Sequence, residues 1–336
     1  MKKLLRFAPW VAALLISCFG SYFVARAVAP SGPTTFQALR LIPAGQPFGL
    51  SLENPIGHAL QVLDNMGNPY GFFIASAYQG TDACEQLTNA FNAANAAGGG
   101  VIVASYAKPQ TCANQIQDLN AQSVTVVLNG TIKSTTPFST GLVYITPVSR
   151  TVGVQIVGAV PVSMYGIAYN PAAATIDYEP TSGSQPIINY NGGTTNGGTQ
   201  SGLKNLQLLG NSAVTSGYYY RALTGTDFQI ENVAGYSTTS IPTGAVIDIA
   251  SAATSGGNWD FPHISGIATG NWATALSFNA SVGNSENGNL SNVFCNNSTA
   301  TGPCATLSNI FGWSIKRISA RAGSNFFKGC IASIVE

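Results

Sequence analysis

Apolar and polar positions in the C-terminal half of the chain recur as a short phrase, apolar–any–polar–apolar. It reads Leu203-Lys204-Asn205-Leu206, Ile230-Glu231-Asn232-Val233, Phe261-Pro262-His263-Ile264, Leu290-Ser291-Asn292-Val293 and Ile315-Lys316-Arg317-Ile318, at steps of 27, 31, 29 and 25 residues. A period in the twenties marks a unit that cannot bury its own apolar face and must stack on a neighbour. Apolar residues flanking a polar one at such short range suit a brief strand or a strand-to-turn corner. A second rung follows each phrase: Tyr218–Tyr220, Ala245–Ile249, Ala275–Phe278, Ala305–Leu307 and Cys330–Ile331. Short strands, no helical period and abundant Gly, Asn, Ser and Thr predict an all-β, right-handed parallel β-helix. Leu206, Val233, Ile264, Val293 and Ile318 are expected in one interior column.

One helix is expected. Thr81 and Asp82 can cap Ala83–Ala97, whose apolar face is Leu87, Ala90, Phe91 and Ala94. Gly98-Gly99-Gly100 stops it and Val101-Ile102-Val103 begins a strand. A solenoid end exposes core and unpaired backbone groups, and this helix is placed to cover them. Coils follow through Val124–Leu128, Val154–Val157, Thr175–Tyr178 and Ile187–Tyr190. Upstream, residues 28–45 read as a linker, and 46–78 as a small hairpin module around Asn54-Pro55 and Met66-Gly67-Asn68-Pro69.

The first 27 residues carry a basic start, Met1–Arg6, then an uncharged run from Phe7 to Ala25. This is an export signal with three possible fates. Ala25-Arg26-Ala27 offers a cleavage site, Leu15-Ile16-Ser17-Cys18 resembles a lipobox, and the run approaches the ~20 residues that span a bilayer. All three put the folded part outside the cytoplasm, in the bacterial cell envelope or secreted, where disulfides persist. Cys84 and Cys112 stand 28 residues apart, about one coil, and Cys295 and Cys304 bracket a tight loop. Neither pair has the spacing of a thiolate metal site. Bridges are expected in both, leaving Cys330 without a partner.

Charged residues make up 8% of the chain against roughly 25% in an average globular protein, and the net charge is +1. Nucleic acid and acidic membrane surfaces are therefore poor partners. A surface of amides, hydroxyls and aromatic rings instead suits carbohydrate, although stacked coils also use Asn and Thr simply for stability.

Thr81-Asp82, the Ala-rich helix, Gly98-Gly99-Gly100 and Val101-Ile102-Val103 resemble the opening segment of the pectate-lyase-like superfamily, in the variant shared by rhamnogalacturonase and epimerase-like members. Cys84 with Gln110-Thr111-Cys112 resembles a subset of exported bacterial proteins with that segment. The resemblance covers about residues 79–336. It implies a β-helix and a polysaccharide partner, and Ca²⁺ if the chain is a lyase; no other cofactor is implied. The superfamily includes pectate lyases, polygalacturonases, epimerases and phage tail-spike depolymerases, the last suggesting a homotrimer. The hydrolase motifs Asp-Asp and Gly-His-Gly are missing, and Ile315–Ile318 only echoes Arg-Ile-Lys.

Candidate chemistry centres on Trp259-Asp260-Phe261-Pro262-His263. Asp260 could orient His263 as a general base while Trp259 stacks a sugar; alternatively His263 replaces Asn in a ladder formed by Asn205, Asn232 and Asn292, as Arg317 does. Tyr219 and Arg221, within Tyr218–Arg221, are candidate sugar contacts. Asp177 with Glu179 and Asp227 with Glu231 are acid pairs at even spacing, which a strand puts on one face. Two functions follow: a polysaccharide lyase or glycoside hydrolase, or a non-catalytic adhesin or tail-spike-like module. A groove of converging Asp, His or Arg favours the first, and a flat amide-and-aromatic face the second. Finally, the chain runs out five residues after Ile331 with no cap, so a longer parent protein is expected.

Overall fold

The computed structural model describes residues 71–149, 152–160, 162, 172–193, 197–237, 242, 244–251, 259–279, 285–296 and 303–321, with short pieces at 327–328 and 334–335. The expected signal segment and linker, residues 46–70 of the expected hairpin module, and Cys330 lie outside them.

The described chain is a parallel β-helix. Its strands form three sheets of 13, 8 and 5 strands in which every pairing is parallel and successive coils lie side by side. In each regular coil a two-residue strand of the five-stranded sheet leads into a long strand, such as Gly202–Gly210 or Gln229–Ser237. A strand of the eight-stranded sheet follows, such as Tyr218–Ala222 or Ala245–Ser251.

Two left-handed corners shape each regular coil from Gln200 onward. One column of positive φ holds Gln200, Asp227, Phe261, Asn287 and Gly312; the other, inside the long strands, holds Asn205, Asn232, Gly266, Asn292 and Arg317. A left-handed residue bends the strand without interrupting the stack, and Asn and Gly adopt it at least cost. The Asn232 amide donates to the Asn205 side-chain oxygen at 3.3 Å.

The register corrects the repeat at its third copy. Ile230 pairs with Ile264 and Val233 with Ile267, so the phrase is Ile264-Ser265-Gly266-Ile267 and the steps become 27, 34, 26 and 25. Gly266, not His263, breaks the Asn column. A Cβ on Gly266 would stand 2.6 Å from the Asn232 Oδ1, so the missing side chain makes room for the amide below. Ile264 belongs to the neighbouring interior column with Leu203, Ile230, Leu290 and Ile315, while Ile267 joins Leu206, Val233, Val293 and Ile318. The fifth second rung is likewise corrected: Ala305 pairs with Phe327, placing it at Phe327–Lys328 rather than Cys330–Ile331.

The core runs the length of the solenoid. Tyr190 stacks on Tyr220 at 4.3 Å, and Tyr220, Trp259, Phe278 and Trp313 continue edge to face at 5.4, 5.7 and 4.8 Å. A Cβ on Gly225 would lie 2.5 Å from the Trp259 ring, so this glycine makes the space that the indole fills.

Helix α1, Ala83–Ala96, lies over the first coils with Leu87, Ala90, Phe91 and Ala94 buried. One Asp82 oxygen caps it by accepting from Glu85 N–H, and the other accepts from the N–H groups of Ala113 and Asn114. Burial by itself raises the pKa of Asp82, but these hydrogen bonds prevail and hold it below the ordinary value. Beside it, Cys84 and Cys112 form a disulfide with Cα atoms 5.7 Å apart. Cys295 and Cys304 form the second, at 5.8 Å. Phe72–Ile74, from the end of the 46–78 segment, pairs in parallel with Val101–Val103 and so belongs to the solenoid.

Candidate ligand-binding face

Alternation along the strands of the eight-stranded sheet sends every second side chain outward. Tyr218 and Tyr220 are buried in the core, whereas Tyr219 is partly exposed and Arg221 exposed. In register with Tyr219 stand Tyr144, Asn189, Asp248 and Ser277 on successive strands. In register with Arg221 stand Asn191, Ala250 and Asn279. Strands lie roughly 4.8 Å apart, so the two tyrosines are separated by about two such steps, with Asn189 between them.

The polar groups of this face are only partly engaged. Asn189 donates to the Thr140 carbonyl at 3.0 Å, while its own buried Oδ1 has no donor. Asn191 donates weakly to the Tyr144 hydroxyl at 3.4 Å. Burial raises the pKa of Asp248 above the ordinary carboxylate value, against the Ser277 hydroxyl hydrogen bond that lowers it. Burial also raises Tyr219; Arg221 opposes this and Asp248 adds to it, so Tyr219 lies within electrostatic reach of both.

The expected Trp259 locus is divided by the fold. Trp259 is fully buried, because the short strand Trp259–Asp260 points its first residue inward. It therefore cannot stack a sugar. Trp272 and Trp313 are buried too, so none of the described tryptophans offers a platform. Asp260 does face outward, and His263 is exposed in the following long strand. They sit at a corner different from the Tyr219 face, beside Phe261, which is 56% exposed.

Of the acid pairs, Asp177 and Glu179 interact. Burial, then Glu179, pushes Asp177 up to about 6, opposed by Lys133 on the neighbouring strand. Asp227 and Glu231 do not share a strand face: Asp227 occupies a left-handed corner, which resets the alternation, and Glu231 pairs with Lys204 at 2.5 Å. A polar cleft of about 240 Å³ opens where Ser123, Thr125, Gln155, Thr199 and Gln200 meet.

The sequence reading missed Tyr144, Asn189 and Asp248. Each stands alone in its segment, and only inter-coil register brings them beside Tyr219. Comparison of the chain with family models, curated proteins and solved structures gives no match in any of the three.

Proposed function

We propose that this β-helix binds polysaccharide along the outer face of its eight-stranded sheet, in the manner of an adhesive or recognition module. The observation that carries the reading is the outward row Tyr144–Asn189–Tyr219, two partly exposed phenol rings flanking an amide whose oxygen lacks a donor. Sugars present apolar ring faces to aromatic side chains and hydroxyls to amides. Asn191, Arg221 and Asn279 extend the polar edge. The flat succession of amides, hydroxyls and rings favours binding over a cleft built for bond cleavage.

A catalytic reading rests on one observation, the raised Asp248 beside Tyr219 and Arg221. Such a carboxyl could hold a proton for general acid work. Both readings are separated by glycan-array binding followed by chain-length analysis of the captured polysaccharide. Binding lost in Tyr219→Ala with chain length unchanged supports the module. Shortened chains, with shortening lost in Asp248→Asn, would instead establish an enzyme. Arrays unaffected by Tyr219→Ala would remove this face from the account.

A further inference from the structure

The two most exposed large apolar side chains among the described residues, Phe261 and Phe311, are each 56% exposed and lie on the same corner of the solenoid. Phe261 follows the short strand Trp259–Asp260; Phe311 ends the short strand Ile310–Phe311 two steps along the same sheet. Their rungs are thus separated by roughly 9.6 Å, a length comparable with a disaccharide.

Phe261 has no packing reason to be there. The other members of its corner column are Gln200, Asp227, Asn287 and Gly312, residues that suit a turn, whereas Phe261 holds φ at +54° with its ring in solvent. A bulky residue in the left-handed region is unfavourable, and an exposed ring recovers little by burial. Around the two rings stand Asp227, Asp260 and Glu286 on successive rungs, with no ion pair to any described residue. Like charges on adjacent strands repel.

We propose that this ridge is a second glycan site, selective for chains carrying unacetylated amino sugars. The sugar rings stack on Phe261 and Phe311, and their ammonium groups meet the three carboxylates with added attraction from the phenyl faces. The proposal shares its ligand class with the Tyr219 face but none of its residues.

Titration calorimetry of the whole chain with glucosamine hexamer, its N-acetylated form, cellohexaose and pentalysine tests it. The glucosamine hexamer should bind best. Phe261→Asn and Phe311→Ser should each weaken it about tenfold, the loss of one aromatic contact, and should do so equally in a Tyr219→Ala background, where the sheet face no longer contributes. Asn suits the left-handed corner, so Phe261→Asn should melt no lower than the parent, and its lost binding cannot be misfolding. Equal affinity for the acetylated or neutral hexamer would overturn the proposal. So would equal binding of pentalysine, which would make the ridge a mere acidic patch, or full binding by Phe261→Asn.

Discussion

Asp118 offers a pH-dependent test of how the helix-covered end is built. Its side chain points inward and is fully buried. One oxygen accepts from the Asn95 amide at 2.6 Å, and the other has no partner. Burial pushes its pKa from 3.8 up to about 7, with the Asn95 hydrogen bond acting in the opposite direction. Below pH 3.8 the carboxyl is protonated in both folded and unfolded chains, and it imposes no titration cost. Between 3.8 and about 7 the unfolded chain releases the proton while the folded chain keeps it, so stability falls as pH rises; above 7 the loss is complete. At about 1.36 kcal/mol per pH unit, the full loss is of order 4 kcal/mol. Asp118→Asn removes this dependence, and its N–H₂ meets no buried acceptor, as the O–H of the protonated parent meets none. The variant should therefore be close to the parent in stability at pH 4 and more stable than it at pH 8. Urea midpoints and slopes across that range give the comparison. Parallel curves, with a constant difference from pH 4 to 8, would refute a protonated Asp118.

Other outcomes follow from the same geometry. Replacing Cys84 by Ser opens a 28-residue separation and should lower stability by about 3.5 kcal/mol in the chain-entropy account, read from denaturant melts with and without reductant. Gly266→Ala places a Cβ at positive φ against the Asn232 oxygen and should cost about 1–2 kcal/mol; an unchanged melting temperature would contradict the corrected register. Trp259→Ala should cost about 3–5 kcal/mol as a core truncation, with glycan affinity per folded molecule retained. Loss of affinity in the folded fraction would return Trp259 to the binding surface.

The fold was legible because stacking imposes a repeat, and four of the five phrases align as written. The third failed because Phe261-Pro262-His263-Ile264 satisfies the apolar–polar–apolar rule better than Ile264-Ser265-Gly266-Ile267, where the corner residue has no side chain to be polar. Helix α1 was legible from Asp82, the Ala-rich face and the glycines after it, its end falling at Ala96 rather than Ala97. The outward position of Tyr219 and Arg221 was legible because strand alternation in Tyr218–Arg221 is local. Trp259 was misplaced because a two-residue strand carries too little pattern to tell inside from outside. The Tyr144–Asn189–Tyr219 row was invisible because its members come from three coils, and the pairing of coils is fixed by corners rather than by the residues that face solvent.

The corner columns make the solenoid a ruler graduated in coils. Excising residues 264–289 would bring Leu290 beside Ile230 and Asn292 onto Asn232, with each corner again meeting a corner. The short strand Ile310–Phe311 would then pair directly with Trp259–Asp260. The core columns would close over the cut, while the gap between Phe261 and Phe311 would shrink from two graduations to one. Length along the axis, and hence the spacing of the two exposed rings, is thereby adjustable in whole steps without redesign of any single coil.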